Sequence, residues 1–163
     1  MPYRIKQFMW NITAKRNEED YRWAINYLNR KEKDLFDRLS IGEQNHSIRV
    51  ARLMDDETKN EPRNEIYVKL GLLHDIGKSK YRLNVFKKVC MLFVHKLSKG
   101  KAKKYSNIKM IRGYYKHGEI GRTMLEGVDE YSLDFLEAVQ NHHYIELCDN
   151  ELVKKLRECD DIS

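Results

Sequence analysis

The chain has 163 residues, 41% of them hydrophobic, with only two prolines and eight glycines; this length and composition fit one folded helical domain and exclude a disordered chain. The net charge of +6 comes from 31 basic and 25 acidic residues, and no apolar run approaches the roughly 18–20 residues that span a bilayer. Three cysteines, Cys90, Cys148 and Cys159, are odd in number and lack CxxC spacing. This points to reduced thiols in a cytoplasmic protein, and the polar residues that break up the first ten positions exclude a secretory signal.

In chain order, Ile5, Phe8, Met9 and Ile12 stand at helical spacing over 3–12. Asn17 followed by Glu18, Glu19 and Asp20 starts a helix with a capping side chain and acids that complement the dipole. Tyr21, Ala24, Ile25 and Leu28 lie on one face of it, and a short helical piece covers 31–39 with Leu35, Phe36 and Leu39. Ser40 and Glu43 form a capping box for a helix that runs to about residue 59. His46, Val50, Leu53 and Met54 share its inward stripe. Pro62 stands near the start of the next helix, along which Ile66, Leu70 and Leu73 lead to His74. Gly77 suits the turn after that helix.

Over 84–98, Val85, Phe86, Val89, Leu92, Phe93 and Leu97 form a broad apolar face, with Lys87, Lys88 and Lys96 outside it. Residues 98–104 read as a basic loop. A helix resumes near 107, with Gly113 as a candidate break. His117, Ile120 and Met124 form the next inward stripe, and Gly118 and Gly121 permit close approach of a neighbouring helix. Ser132 caps a helix with Phe135, Leu136 and Val139 that ends at Asn141-His142-His143. Asn150 and Glu151 begin the last helix, in which Val153, Leu156 and Asp160 share a face. Cys159 reads as a small buried helix residue.

The charge is unevenly spread. From Ile76 to Gly118 there is no Asp or Glu but there are 13 Lys and Arg, which leaves 18 basic against 25 acidic residues elsewhere. Such a block favours an anionic partner: a phosphorylated substrate, a nucleic acid or an anionic membrane surface. A solvated helix-and-loop segment accounts for its middle equally well.

Five of the six histidines (His46, His74, His117, His142 and His143) and two acids (Asp75 and Asp160) stand at an end or on the apolar stripe of an expected helix. Only His95 lies outside this series. Any one such histidine is ordinarily a core residue, but burying so many polar groups is costly unless they are paired or bound to metal. Imidazole and carboxylate ligands without thiolate suit Fe, Mn, Co, Ni or Zn.

The segments Asn45-His46-Ser47-Ile48-Arg49-Val50-Ala51, Leu73-His74-Asp75-Ile76-Gly77-Lys78, Tyr115-Lys116-His117-Gly118-Glu119-Ile120-Gly121, Asn141-His142-His143 and Cys159-Asp160-Asp161 occur in this order. The series resembles the HD superfamily of metal-dependent phosphohydrolases over roughly 41–161. The resemblance implies an all-α, single compact helical fold with a metal site in the core of the bundle. The N-terminal helices of 1–40 would pack on the 41–161 metal-binding part, the whole of 1–163 being one domain. It implies two divalent transition-metal ions. His46, His74, Asp75 and Asp160 would hold the first. His117 and His142, with His143 as a further candidate, would hold the second, with Asp75 bridging; of the adjacent pair His142 is preferred. Asp75 and Lys78 are the catalytic candidates, Asp75 orienting the nucleophile and Lys78 binding phosphate; Arg49 could also bind phosphate, although an exposed helix position suits it better.

The chain departs from the cyclic di-guanylate branch, in which His-His-Glu is followed by a Gly-Tyr-Pro element. Here His142-His143-Tyr144-Ile145-Glu146 stands without one. Gly42 replaces the acid of trimetal members, so two metals are expected. The function implied is hydrolysis of an anionic phosphorylated small molecule, a nucleotide or another phosphate mono- or diester. Two other readings stand beside it. Some relatives with this ligand set are di-iron oxygenases. A non-enzymatic module could instead use the basic 76–118 stretch to bind nucleic acid or an anionic surface, with Tyr81, Phe86, Tyr105, Tyr114 and Tyr115 available for stacking.

Overall fold

The computed structural model describes residues 15–81, 85–128, 130–143 and 150–163. Every regular element among them is helical, as the periodicity predicts. The helix expected over 3–12, Tyr144–Glu146 and Cys148 lie outside the described residues.

Local chemistry explains where the helices start. In α1 (Glu18–Ile25) the Asn17 side chain accepts from the amides of Glu19 and Asp20. α2 (Arg30–Phe36) opens on a capping box between Asn29 and Glu32, and α3 (Ile41–Thr58) on the one between Ser40 and Glu43. Each box satisfies amides that the first helical turn leaves without partners. α4 (Asn64–Leu73) follows a turn containing Pro62 and leads into a 3-10 helix, Ile76–Tyr81. The remaining elements are α5 (Val85–Ser98), a second 3-10 helix (Lys101–Tyr105), α6 (Lys109–Tyr115), α7 (His117–Glu126), α8 (Leu133–Asn141) and α9 (Glu151–Ile162).

α3 and α4 pack along each other and carry much of the core: Val50, Ala51, Met54, Val68, Leu70 and Leu73 are fully buried. Gly71 makes this approach possible, because a Cβ there would sit 2.7 Å from the Ala51 Cα. α8 and α9 close the core with Val139 and Leu156, and Cys159 is buried as expected. Burial pushes its thiol pKa up to about 11, so it stays protonated and unreactive.

Several expectations need correction. Ile66 is 40% exposed, and Tyr67 points inward in its place. Gly77 does not serve a left-handed turn, since Gly100 is the only described glycine with positive φ. It is there because a Cβ would meet the His117 carbonyl oxygen at 1.9 Å. Residues 101–105 form a 3-10 helix where a loop was expected, and Gly113 lies inside α6, with the helix ending at Lys116. In α7 the buried line is His117, Gly121 and Leu125, with Ile120 and Met124 half-buried beside it. On α5, Phe93 and Leu97 face solvent while Met91 is buried. The side chains of Val85, Phe86, Val89 and Leu92 lie outside the described residues.

Candidate metal centre

Two helix C-termini and the junction of α6 with α7 converge on Asp75. His74 caps α4, His142 caps α8, and His117 follows the end of α6. The last turn of a helix leaves carbonyl oxygens without amide partners. Each of these histidines supplies one: Nδ1 of His74 lies 2.8 Å from the Gly71 carbonyl oxygen, Nδ1 of His117 lies 3.0 Å from that of Tyr114, and Nδ1 of His142 lies 2.7 Å from that of Val139. A carbonyl only accepts, so Nδ1 carries the proton. Nε2 is left as a lone-pair donor aimed at the centre, which is how histidine is prepared to bind a metal.

His46 reaches the same place from α3. Its Nε2 is 2.9 Å from Asp160 Oδ1 on α9, and its Nδ1 is 3.1 Å from Ser163 Oγ. Ser163 Oγ also lies 3.1 Å from the Asp160 carbonyl oxygen and donates to it, so this hydroxyl ties the His46 ring to the end of α9.

The two oxygens of Asp75 divide the centre. Oδ2 faces His74 Nε2 at 3.4 Å, His46 Nε2 at 3.9 Å and the Lys78 ammonium, which donates to it. Oδ1 faces His117 Nε2 at 3.4 Å and His142 Nε2 at 3.7 Å. Two groups able to hold an ion result, His46–His74–Asp75 and Asp75–His117–His142–His143, and they share Asp75. Asp160 Oδ1 adjoins the first, 3.9 Å from His74 Nε2. In the second, His117 and His143 bring their Nε2 atoms to 2.9 Å, so both His142 and His143 belong to it. Asp161 is exposed. Arg49 is half-buried, not exposed as its helix position suggested.

The buried atoms fit a cation. His74 Nε2, His142 Nε2 and Asp75 Oδ1 lie out of solvent with no hydrogen-bond partner among the described residues. An orphaned buried polar atom is costly, and three aimed into one space are what a bound ion would satisfy. The C-termini of α4 and α8 add negative dipole ends at His74 and His142, whereas His117 opens α7.

Electrostatics keep the donors ready. Burial pushes the Asp75 carboxyl upward, but the Lys78 ammonium and His74 outweigh it and hold it well below the usual carboxylate range. Burial opposes ionisation of Asp160 too, and His46 and His74 reverse that. Burial, helped by the Lys78 charge, lowers His117 to about 3. Burial likewise lowers His46, and His143, exposed at its surface but with its ring packed on His117 and His142, is lowered by desolvation and by those two rings. His74 moves the other way, because Asp75 more than offsets its burial.

Every candidate metal ligand from the sequence, together with Lys78, is therefore in one place. Sequence reasoning missed Ser163 and the three carbonyl oxygens. A serine at a helix end carries no periodic signal, whereas the position three before each histidine at a helix C-terminus could have been read as its acceptor.

A family model described as HD domain matches residues 44–163. No curated protein and no solved structure matches the chain.

Proposed function

The chain belongs to the HD superfamily of metal-dependent phosphohydrolases, and from that membership we propose that it hydrolyses a phosphate mono- or diester, a nucleotide among the candidate substrates, at a binuclear centre. The observation that carries this is the division of Asp75: one oxygen faces each group of histidines. In this reading His46, His74, Asp75 and Asp160 hold one ion, and Asp75, His117, His142 and His143 hold the other. When bound, two divalent ions supply Lewis-acid stabilisation of a phosphoryl group and acidify water so that a nucleophile is available near neutral pH.

The chain's own groups do the rest. The Nδ1 protons of His74, His117 and His142 stay on backbone carbonyls and orient those rings. Asp75, 1% exposed, remains an ionised acceptor throughout and would orient a water by accepting a hydrogen bond from it. Lys78 Nζ, paired with Asp75 and half-buried, is placed to exchange part of that contact for a phosphoryl oxygen. It would thereby hold the substrate and neutralise charge that develops in the transition state.

Elemental analysis by mass spectrometry, with phosphomonoester and phosphodiester turnover on the same sample, tests the proposal. About two transition-metal ions per chain with metal-dependent hydrolysis support it. Two irons without hydrolysis would favour the oxygenase. No metal after reloading would remove both enzyme readings.

A further inference from the structure

The basic segment carries apolar residues in the wrong place for a core. Phe93 is 61% exposed and Leu97 is 83% exposed. They stand four apart on α5, on the same side of the helix. Met91, fully buried, marks the inward side, and His95, itself exposed, turns toward α6, its Nδ1 2.9 Å from the Tyr115 hydroxyl. At about 100° per residue, Phe93 and Leu97 fall roughly opposite these. The end of α5 is fixed by a left-handed turn at Lys99 and Gly100, with the Gly100 amide donating to the His95 carbonyl. The adjoining 3-10 helix, packed on α5, adds Tyr105 at 51% exposure, and Ile108 beyond it is 49% exposed.

On the same stretch of chain Lys99, Lys101, Lys104 and Lys109 are all exposed, and the Lys104 ammonium lies 4.9 Å over the Tyr105 ring. They belong to the 76–118 stretch, which holds 13 basic residues and no acid. Exposed apolar side chains rimmed by one sign of charge mark an interaction surface. The positive rim requires an anionic partner. Leu97 and Ile108 are aliphatic: they can enter an acyl layer but offer little to a nucleic-acid base, whose recognition relies on aromatic stacking. No helix among the described residues is long and apolar enough to cross a membrane, so the contact is peripheral.

We infer that the end of α5 and the adjoining 3-10 helix dock on an anionic lipid surface, Phe93 and Leu97 inserting at the headgroup boundary while the lysines meet the headgroups. This inference is independent of the hydrolase reading.

The test is flotation of the full chain with phosphatidylcholine vesicles, with and without phosphatidylserine. Binding is expected only with phosphatidylserine. The F93S/L97S variant should bind roughly tenfold more weakly or worse, with helical content and metal content unchanged. Replacing Lys99, Lys101 and Lys104 by Ala should weaken binding by about fivefold per lysine. Failure of the unaltered chain to float with phosphatidylserine vesicles would overturn the inference. So would unchanged binding by F93S/L97S, since charge alone would then account for it. Displacement from vesicles by an RNA oligonucleotide, bound equally well by F93S/L97S, would reassign the surface to nucleic acid. Light scattering that shows a dimer lost in F93S/L97S would reassign it to a second copy of the chain.

Discussion

Ser163 Oγ lies 3.1 Å from His46 Nδ1 across 117 residues of sequence, and its hydroxyl donates a hydrogen bond to the Asp160 carbonyl. His46 is thus oriented by a side chain, while His74, His117 and His142 rely on backbone. Ser163→Ala should lower affinity for the ion held by His46, His74 and Asp160 by about tenfold to a hundredfold. The group around His117 should keep its affinity. Metal titration that resolves two steps would show one step moved; equal weakening of both would contradict the assignment.

Because Asp75 serves both groups, its loss should differ from that of any single histidine. Asp75→Ala should empty both positions and abolish turnover, while His117→Ala should retain about one ion per chain. Elemental analysis paired with circular dichroism separates metal loss from unfolding, as helical content should persist in both variants.

Lys78→Ala removes the charge that holds Asp75 ionised and the proposed phosphate contact. Turnover should fall or KM rise by about tenfold or more, with metal still bound. If the ions were lost instead, Lys78 would be supporting the ligands and not the substrate.

Metal-free stability should fall on acidification. The His117 pKa of about 3 lies below its ordinary 6.5, so between these values the unfolded chain binds the extra proton and stability is lost as pH falls. His46 acts in the same direction, and the lowered Asp75 and Asp160 extend the loss into the carboxylate range. His74, raised, contributes the opposite sign, one group against His117, His46 and the two carboxylates. Denaturation midpoints of the apo-protein should therefore be lower at about pH 5 than at about pH 7, and the metal-loaded protein should show a steeper dependence because protons compete with the ions.

Gly77→Ala would place its Cβ 1.9 Å from the His117 carbonyl oxygen, and Gly118→Ala 2.4 Å from that of Gln140. Each should destabilise by about 1–3 kcal/mol or more and weaken the ion on the His117 side. Gly127→Ala is the control: its nearest neighbour is 3.7 Å away and its φ is −87°. It should be neutral or stabilising by about 0.4–1 kcal/mol. Thermal melts with metal titrations on all three would check this.

The ligand histidines could be read from sequence because each falls on an apolar stripe or at a helix end, and periodicity reports both. What periodicity omits is the identity of the covering surface. Phe93 and Leu97 have helical spacing and read as inward, yet the side of α5 they share is not the side that meets α6. Gly77 was legible as a glycine but not for its reason, since close contact between two backbones distant in sequence leaves no local pattern. The partnership of Ser163 with His46 is equally long-range.

The three carbonyl acceptors at Gly71, Tyr114 and Val139 belong to the main chain. The aim of those rings is therefore encoded in helical phase and not in neighbouring side chains. Exchanging the Tyr114 or Val139 side chain leaves the acceptor in place, whereas a single residue inserted between acceptor and histidine rotates the ring away. Substitution scans would understate how fragile the centre is, and insertion scans would expose it.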